Sequence, residues 1–120
     1  MLLAFLLQAV ATIASPPADW RSLPLLRAPT TEAAAGVSDY VRDEIQAGHC
    51  TTPRPGTLSV DLAVYVAESG RVRRIVPRAI NCPTVEQYAS GIALRSLRGE
   101  VEPPETIGWH RMTIVFTWQQ

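Results

Sequence analysis

The stretch Thr57-Leu58-Ser59-Val60-Asp61-Leu62-Ala63-Val64-Tyr65-Val66-Ala67-Glu68-Ser69-Gly70 alternates without a break. Leu58, Val60, Leu62, Val64 and Val66 point one way, and Ser59, Asp61, Ala63, Tyr65 and Ala67 the other. A period of two held this long argues a half-buried strand in an antiparallel sheet. Glu68-Ser69-Gly70 supplies the turn, with Gly70 free to take a positive φ. Val72, Ile75 and Val76 do not keep one parity, which predicts a bulge near Arg73-Arg74, and Pro77 should end ladder bonding on one side.

Working outward, Val85, Tyr88, Ala89, Ile92, Ala93 and Ser96 recur at helical spacing, enough for one helix to cover one face of the sheet. Asn81-Cys82-Pro83-Thr84 opens that helix: Pro83 suits the first turn, and Thr84-x-x-Gln87 has capping-box spacing. Gly99 is the expected terminating glycine. Met112, Ile114, Phe116 and Trp118 then share one face of a last strand. The expected fold class is α+β: a small antiparallel three-stranded sheet in strand-strand-helix-strand order, packed against one main helix. Upstream, Thr30 or Thr31 can cap a first helix with Glu32 in its first turn, and Gly48 closes it. Its narrow stripe of Val37, Val41 and Ile45 predicts a peripheral N-terminal helix. Pro53 and Pro55 make residues 49–56 a loop.

At 120 residues the chain is one domain with flanking segments. The domain is expected over residues 31–120. Residues 15–30, with Pro16, Pro17, Pro24 and Pro29, read as an extended linker. Trp20, Leu23, Leu25 and Leu26 are too apolar for a free linker, so part of it should lie on the domain. Leu2 to Ala14 is apolar apart from Gln8 and Thr12, and shorter than the roughly 20 residues a membrane span needs. It fits a signal peptide, with Thr12-x-Ala14 as the cleavage signal, or a short N-terminal hydrophobic segment that tethers the domain. The protein is therefore expected to be periplasmic or secreted.

Formal net charge is zero, so no overall field draws the chain to nucleic acid or to an anionic membrane. All 11 basic residues are arginine, and Arg71, Arg73, Arg74 and Arg78 form the one local cluster. Such charges on a hairpin strand discourage edge-to-edge aggregation, and they would also suit an acidic partner. Cys50 precedes the first hairpin strand and Cys82 follows the second. Two cysteines flanking the open end of a hairpin in an exported protein point to a disulfide. A zinc site built from His49, Cys50, Cys82 and His110, or a Cys–His nucleophile pair, has no supporting ligand or base spacing. The sequence contains no G-x-S-x-G, no P-loop and no G-x-G-x-x-G. Its carboxylates (Asp61, Glu68, Glu86, Glu100, Glu102, Glu105) look scattered over turns and termini. No catalytic residue, cofactor or metal is expected, nor a small-molecule substrate.

With these elements placed, the chain resembles the TonB C-terminal domain family. The resemblance is carried by Gly56-Thr57-Leu58-Ser59-Val60 and Val64-Tyr65-Val66-Ala67-Glu68-Ser69-Gly70-Arg71-Val72 in the hairpin, and by Cys82-Pro83-Thr84-Val85 with the helix through Leu97. Val101-Glu102-Pro103 sits where the family has aromatic-x-Pro, and Gly108 with Met112-Thr113-Ile114-Val115-Phe116-Thr117-Trp118 is similar to its closing strand. Thr52-Pro53 and Arg54-Pro55 stand where members usually carry Tyr-Pro. The match spans about half the chain. The resemblance implies binding of an extended peptide, an outer-membrane receptor or another envelope protein in the periplasm, with a link to TonB-dependent transport across the outer membrane. The implied site is an edge strand over Met112, Thr113, Ile114, Val115, Phe116, Thr117 and Trp118, where a partner adds as a further strand. The alternative is a secreted, disulfide-stabilised structural or inhibitory mini-domain without a transport role.

Overall fold

A computed structural model describes residues 15–26, 31–32, 35–97 and 107–119 of the chain. In chain order these form β1 (Thr31–Glu32), α1 (Ala35–Gln46), β2 (Thr57–Val66), β3 (Val72–Pro77), α2 (Pro83–Leu97) and β4 (Gly108–Thr117), with a 3₁₀ turn at Trp20–Ser22. The sheet order is β1-β4-β2-β3. The antiparallel three-stranded sheet expected from the alternation is the unit β4-β2-β3, and the two-residue β1 extends it in parallel along β4.

β2 is the centre of the sheet. It pairs with β4 over its whole length, from Thr57↔Thr117 to Val66↔Gly108, without a register change. Its pairing with β3 shifts between Tyr65 and Val66, leaving Arg73 as the extra residue of a bulge. That is the irregularity the broken parity of Val72, Ile75 and Val76 called for. Gly70 has φ of 83° and donates to the Ala67 carbonyl, so the tight turn needs the glycine.

One face of the sheet carries Leu58, Val60, Leu62, Val64, Val66, Met112, Ile114 and Phe116, all buried in one core with Val85, Ala89, Ile92, Ala93 and Leu97 of α2. Ser96, placed on the helix stripe by spacing, is exposed, and Leu97 is buried instead. The stripe therefore ends one residue later, at the helix end. The α2 start also differs in detail from the sequence expectation. The Glu86 amide donates to the Cys82 carbonyl, and the Glu86 carboxylate accepts the amides of Ile80 and Cys82, each at 3.1 Å. Glu86 thus does what capping-box spacing assigned to Gln87, because the cap is Cys82 and not Thr84. Gly99 and Val101 lie outside the described residues.

α1 is shorter at its start than expected, since Thr31 and Glu32 belong to β1. It closes on Gly48, whose φ is 81°, with the His49 amide bonded to the Glu44 carbonyl and the Gly48 amide to that of Ile45. It is less peripheral than its narrow stripe suggests: Val41 is fully buried in the core, and Val37 and Ile45 pack against it. Tyr88 donates to the Val37 carbonyl at 3.0 Å and lies against the Tyr40 ring at 4.5 Å, which ties α1 to α2.

Cys50 and Cys82 are joined in a disulfide, with Cα atoms 5.3 Å apart and a sequence separation of 32. Both are buried, so the bridge closes the open end of the hairpin onto the start of α2.

Candidate functional site

The three-stranded unit β4-β2-β3 has two outer strands, β4 with the two-residue β1 alongside it and β3, and what each presents follows from strand geometry. Successive amides in a strand point to opposite edges. The Trp118 amide donates to the Gly56 carbonyl at 2.9 Å, so even-numbered amides of β4 face β2. Odd-numbered amides therefore face outward, and two are observed doing so. Arg111 donates to the Pro24 carbonyl at 2.9 Å, and Thr117 donates to Ser38 Oγ at 3.2 Å.

The outer edge of β4 is not bare. The Leu26 amide donates to the Arg111 carbonyl at 2.9 Å, so residues 24–26 bridge β4 in parallel around Arg111. Further along, Thr31 pairs with Ile114 and Glu32 with Val115. Ser38 of α1 meets the edge at Thr117. The segment the sequence assigned to a linker thus lies partly on the domain, as the apolar Trp20, Leu23, Leu25 and Leu26 require. Leu26 is buried in the core. Trp20 is 8% exposed, with the Arg78 guanidinium 5.2 Å from its ring centroid. The turn that carries Trp20 is held by Asp19, which accepts the Arg21 amide at 3.0 Å. Leu25, between these anchors, is 67% exposed.

Of the residues singled out as a partner-binding edge, Met112, Ile114 and Phe116 turn their side chains into the core and their amides toward β2, so the outward amides are those of Thr113, Val115 and Thr117. Thr113 and Val115 are half-buried on the opposite face, where Thr113 donates to the Asp61 carboxylate at 2.7 Å. Thr117 is exposed, and Trp118 packs partly against the core. Tyr65 and Trp109 form an edge-on pair at 5.4 Å on that second face. Arg111 Nε is buried there with no hydrogen-bond partner among the described residues.

The other outer strand is β3. The Arg78 amide donates to the Asp61 carbonyl at 2.9 Å, so the Ile75 amide and carbonyl face outward by alternation. The described residues place no strand beside β3.

The imagined zinc ligands do not gather. Cys50 and Cys82 are bonded to each other, His49 Nδ1 lies 3.1 Å from Glu44, and His110 Nδ1 lies 2.9 Å from the Gly108 carbonyl. Among the described residues no group of three or more His, Cys, Asp or Glu side chains is placed to hold a metal ion. The carboxylates of Asp61, Glu86 and Glu44 are engaged with hydroxyls and amides of their own structural neighbourhoods, while Glu100, Glu102 and Glu105 lie outside the described residues. A cleft of about 720 Å³ between residues 51–54 and the β2–β4 ladder is lined by hydroxyls of Thr51, Thr52, Thr57 and Ser59 together with Arg54 and Val115. No carboxylate, histidine or cysteine lines it. Among the described residues no helix is long and apolar enough to cross a membrane.

Comparison with protein-family models, with curated proteins and with solved structures returned no match.

Proposed function

We propose that this chain is a protein-binding module of the cell envelope, which takes an extended peptide of a partner as an added strand along β4. The observation that carries this reading is the pairing at Arg111. Its amide and carbonyl both bond an extended segment of the chain itself, through Pro24 and Leu26. An edge that accepts residues 24–26 and 31–32 in this way has backbone groups positioned for another extended segment. Among the described residues the covering is also brief, one bridge and a two-residue strand against the ten residues of β4. A partner strand pairing with more of β4 would make more main-chain bonds than the segment it replaces. The hairpin and closing-strand spacings that resemble the TonB C-terminal domain point the same way. They suggest an outer-membrane receptor or other envelope protein as partner, a periplasmic site and a role linked to transport.

One observation favours a second reading. If residues 24–26 and 31–32 never leave β4, the domain is closed, and the disulfide across its hairpin suits a secreted structural or inhibitory mini-domain. The experiment that separates them uses the protein and its Thr113→Pro variant as bait in an envelope extract. The Thr113 amide is an outward one, so the variant loses an edge donor while the β2–β4 ladder stays intact. A partner held by the wild type and lost by the variant carries the strand-addition reading. A partner held equally by both, or none held by either, rejects it.

A further inference from the structure

We propose that the groove between β3 and α2 is a second docking surface, separate from β4, and that its occupant is an acidic extended segment of another protein. The groove encloses about 410 Å³. Val72 and Ile75 supply its strand wall and Gly91 and Leu94 its helix wall, with Arg73 and Arg74 at its rim. Three independent features point to the same kind of occupant.

The first is backbone. Ile75 offers an outward amide and carbonyl on the outer strand, and the bulge at Arg73 and the missing donor of Pro77 confine that offer to a short window. An extended segment bonded there makes one amide–carbonyl exchange and must gain the rest of its affinity from side chains. The second is apolar surface. Leu94 is 51% exposed beside the half-buried Ile75 and Val72, and a Cβ built at Gly91 would meet nothing within 4 Å. The helix surface is therefore open at Gly91, leaving room for one apolar side chain of an incoming segment. The third is charge. Arg71, Arg73 and Arg74 are exposed, and among the described residues no carboxylate lies within ion-pair distance of them. A strand laid beside β3 brings its alternate side chains to these guanidiniums, which favours aspartate and glutamate there.

The same arginines explain why a second copy of this chain is the wrong occupant. Two β3 edges brought together would oppose arginine to arginine, which costs more than one short stretch of backbone bonding returns. A nucleic acid would meet the charge but would use neither the Ile75 backbone nor the apolar pocket at Gly91 and Leu94.

The test is an amide chemical-shift titration of the full chain with a hexapeptide that alternates glutamate and valine. The amides of Arg73, Ile75, Gly91 and Leu94 should shift, and Arg73→Ser/Arg74→Ser should weaken binding about tenfold while leaving the fold intact. The lysine–valine counterpart and a single-stranded oligothymidylate serve as comparisons. Equal shifts with the lysine peptide, the same amides moved as strongly by the oligonucleotide, shifts confined to Leu26 and Arg111, or no shifts at all would each overturn the proposal. Binding unchanged in the arginine double variant would overturn it as well.

Discussion

Proline placed at two adjacent positions of β4 should separate the two sides of that strand. The Ile114 amide faces β2, where Ile114 stands opposite Val60 in the ladder, and its side chain is fully buried. Ile114→Ala alone should destabilise by about 2–5 kcal/mol through lost transfer energy and the cavity left behind. Ile114→Pro adds the loss of one ladder bond and strands the Val60 carbonyl in the core, a further cost of roughly 2–4 kcal/mol. The sum, on the order of 4–9 kcal/mol, is comparable to the whole stability of a small domain, typically about 5–15 kcal/mol. Thr113→Pro leaves that ladder alone. It removes the hydrogen bond to Asp61 and an outward amide, which should cost about 1–2 kcal/mol and lower Tm by roughly 4–16 °C. Urea unfolding followed by tryptophan fluorescence, with Ile114→Ala as the side-chain control, reads all three. The reasoning fails if the two proline variants are equally destabilised, or if Thr113→Pro is the worse of them. Either result would mean that β4 amides are oriented opposite to the pattern set by Trp118 and Arg111.

Two further outcomes follow from the core and the bridge. Opening the Cys50–Cys82 disulfide, by reduction or by Cys50→Ala/Cys82→Ala, releases a loop of 32 residues and should cost about 3–4 kcal/mol, read as a shift in the denaturant midpoint. Thiol labelling of the unfolded, unreduced protein should find no free cysteine, and two labelled cysteines per chain would contradict the bridge. Ile92→Ala should cost about 2–4 kcal/mol, because Ile92 is the α2 residue set into the core between Ala89 and Ala93. A change below about 0.5 kcal/mol would mean that α2 presents a different face to the sheet.

How much of this was legible in the sequence depends on the range of the interaction. β2 announces itself through ten residues of alternation, and the bulge in β3 through the loss of parity at Arg73. The cysteine pairing could be read because the hairpin between them fixes their distance. The α2 cap was misread by two positions: the pattern Thr84-x-x-Gln87 fits a capping box, but Asn81 takes a φ of 58° and the cap falls at Cys82, which brings Glu86 and not Gln87 to the free amides. Val41 looked peripheral because a narrow stripe on α1 does not reveal that it lands on the core. The apolar Trp20, Leu23, Leu25 and Leu26 signalled that part of this segment lies on the domain, but nothing local signalled that residues 24–26 and 31–32 pair with β4. Thr31-Glu32 reads as a helix start, and its parallel pairing with Ile114 and Val115, far along the chain, is decided by the tertiary fold. For the candidate site this matters most. The sequence could nominate residues 112–118 as an edge, yet not that Arg111, Ile114 and Val115 already have partners.

The central claim is that the segment on β4 is a replaceable cover, and native-state amide exchange tests it most directly. Leu26 and Arg111 donate across the covered edge, whereas Met112 and Ile114, on the same strand, have amides that face β2. If the cover opens locally, the Leu26 and Arg111 amides should exchange at least about 100-fold faster than those of Met112 and Ile114, with an opening energy well below that of global unfolding. If all four exchange only with global unfolding, residues 24–26 and 31–32 are an integral part of a closed sheet, and β4 is not a binding edge.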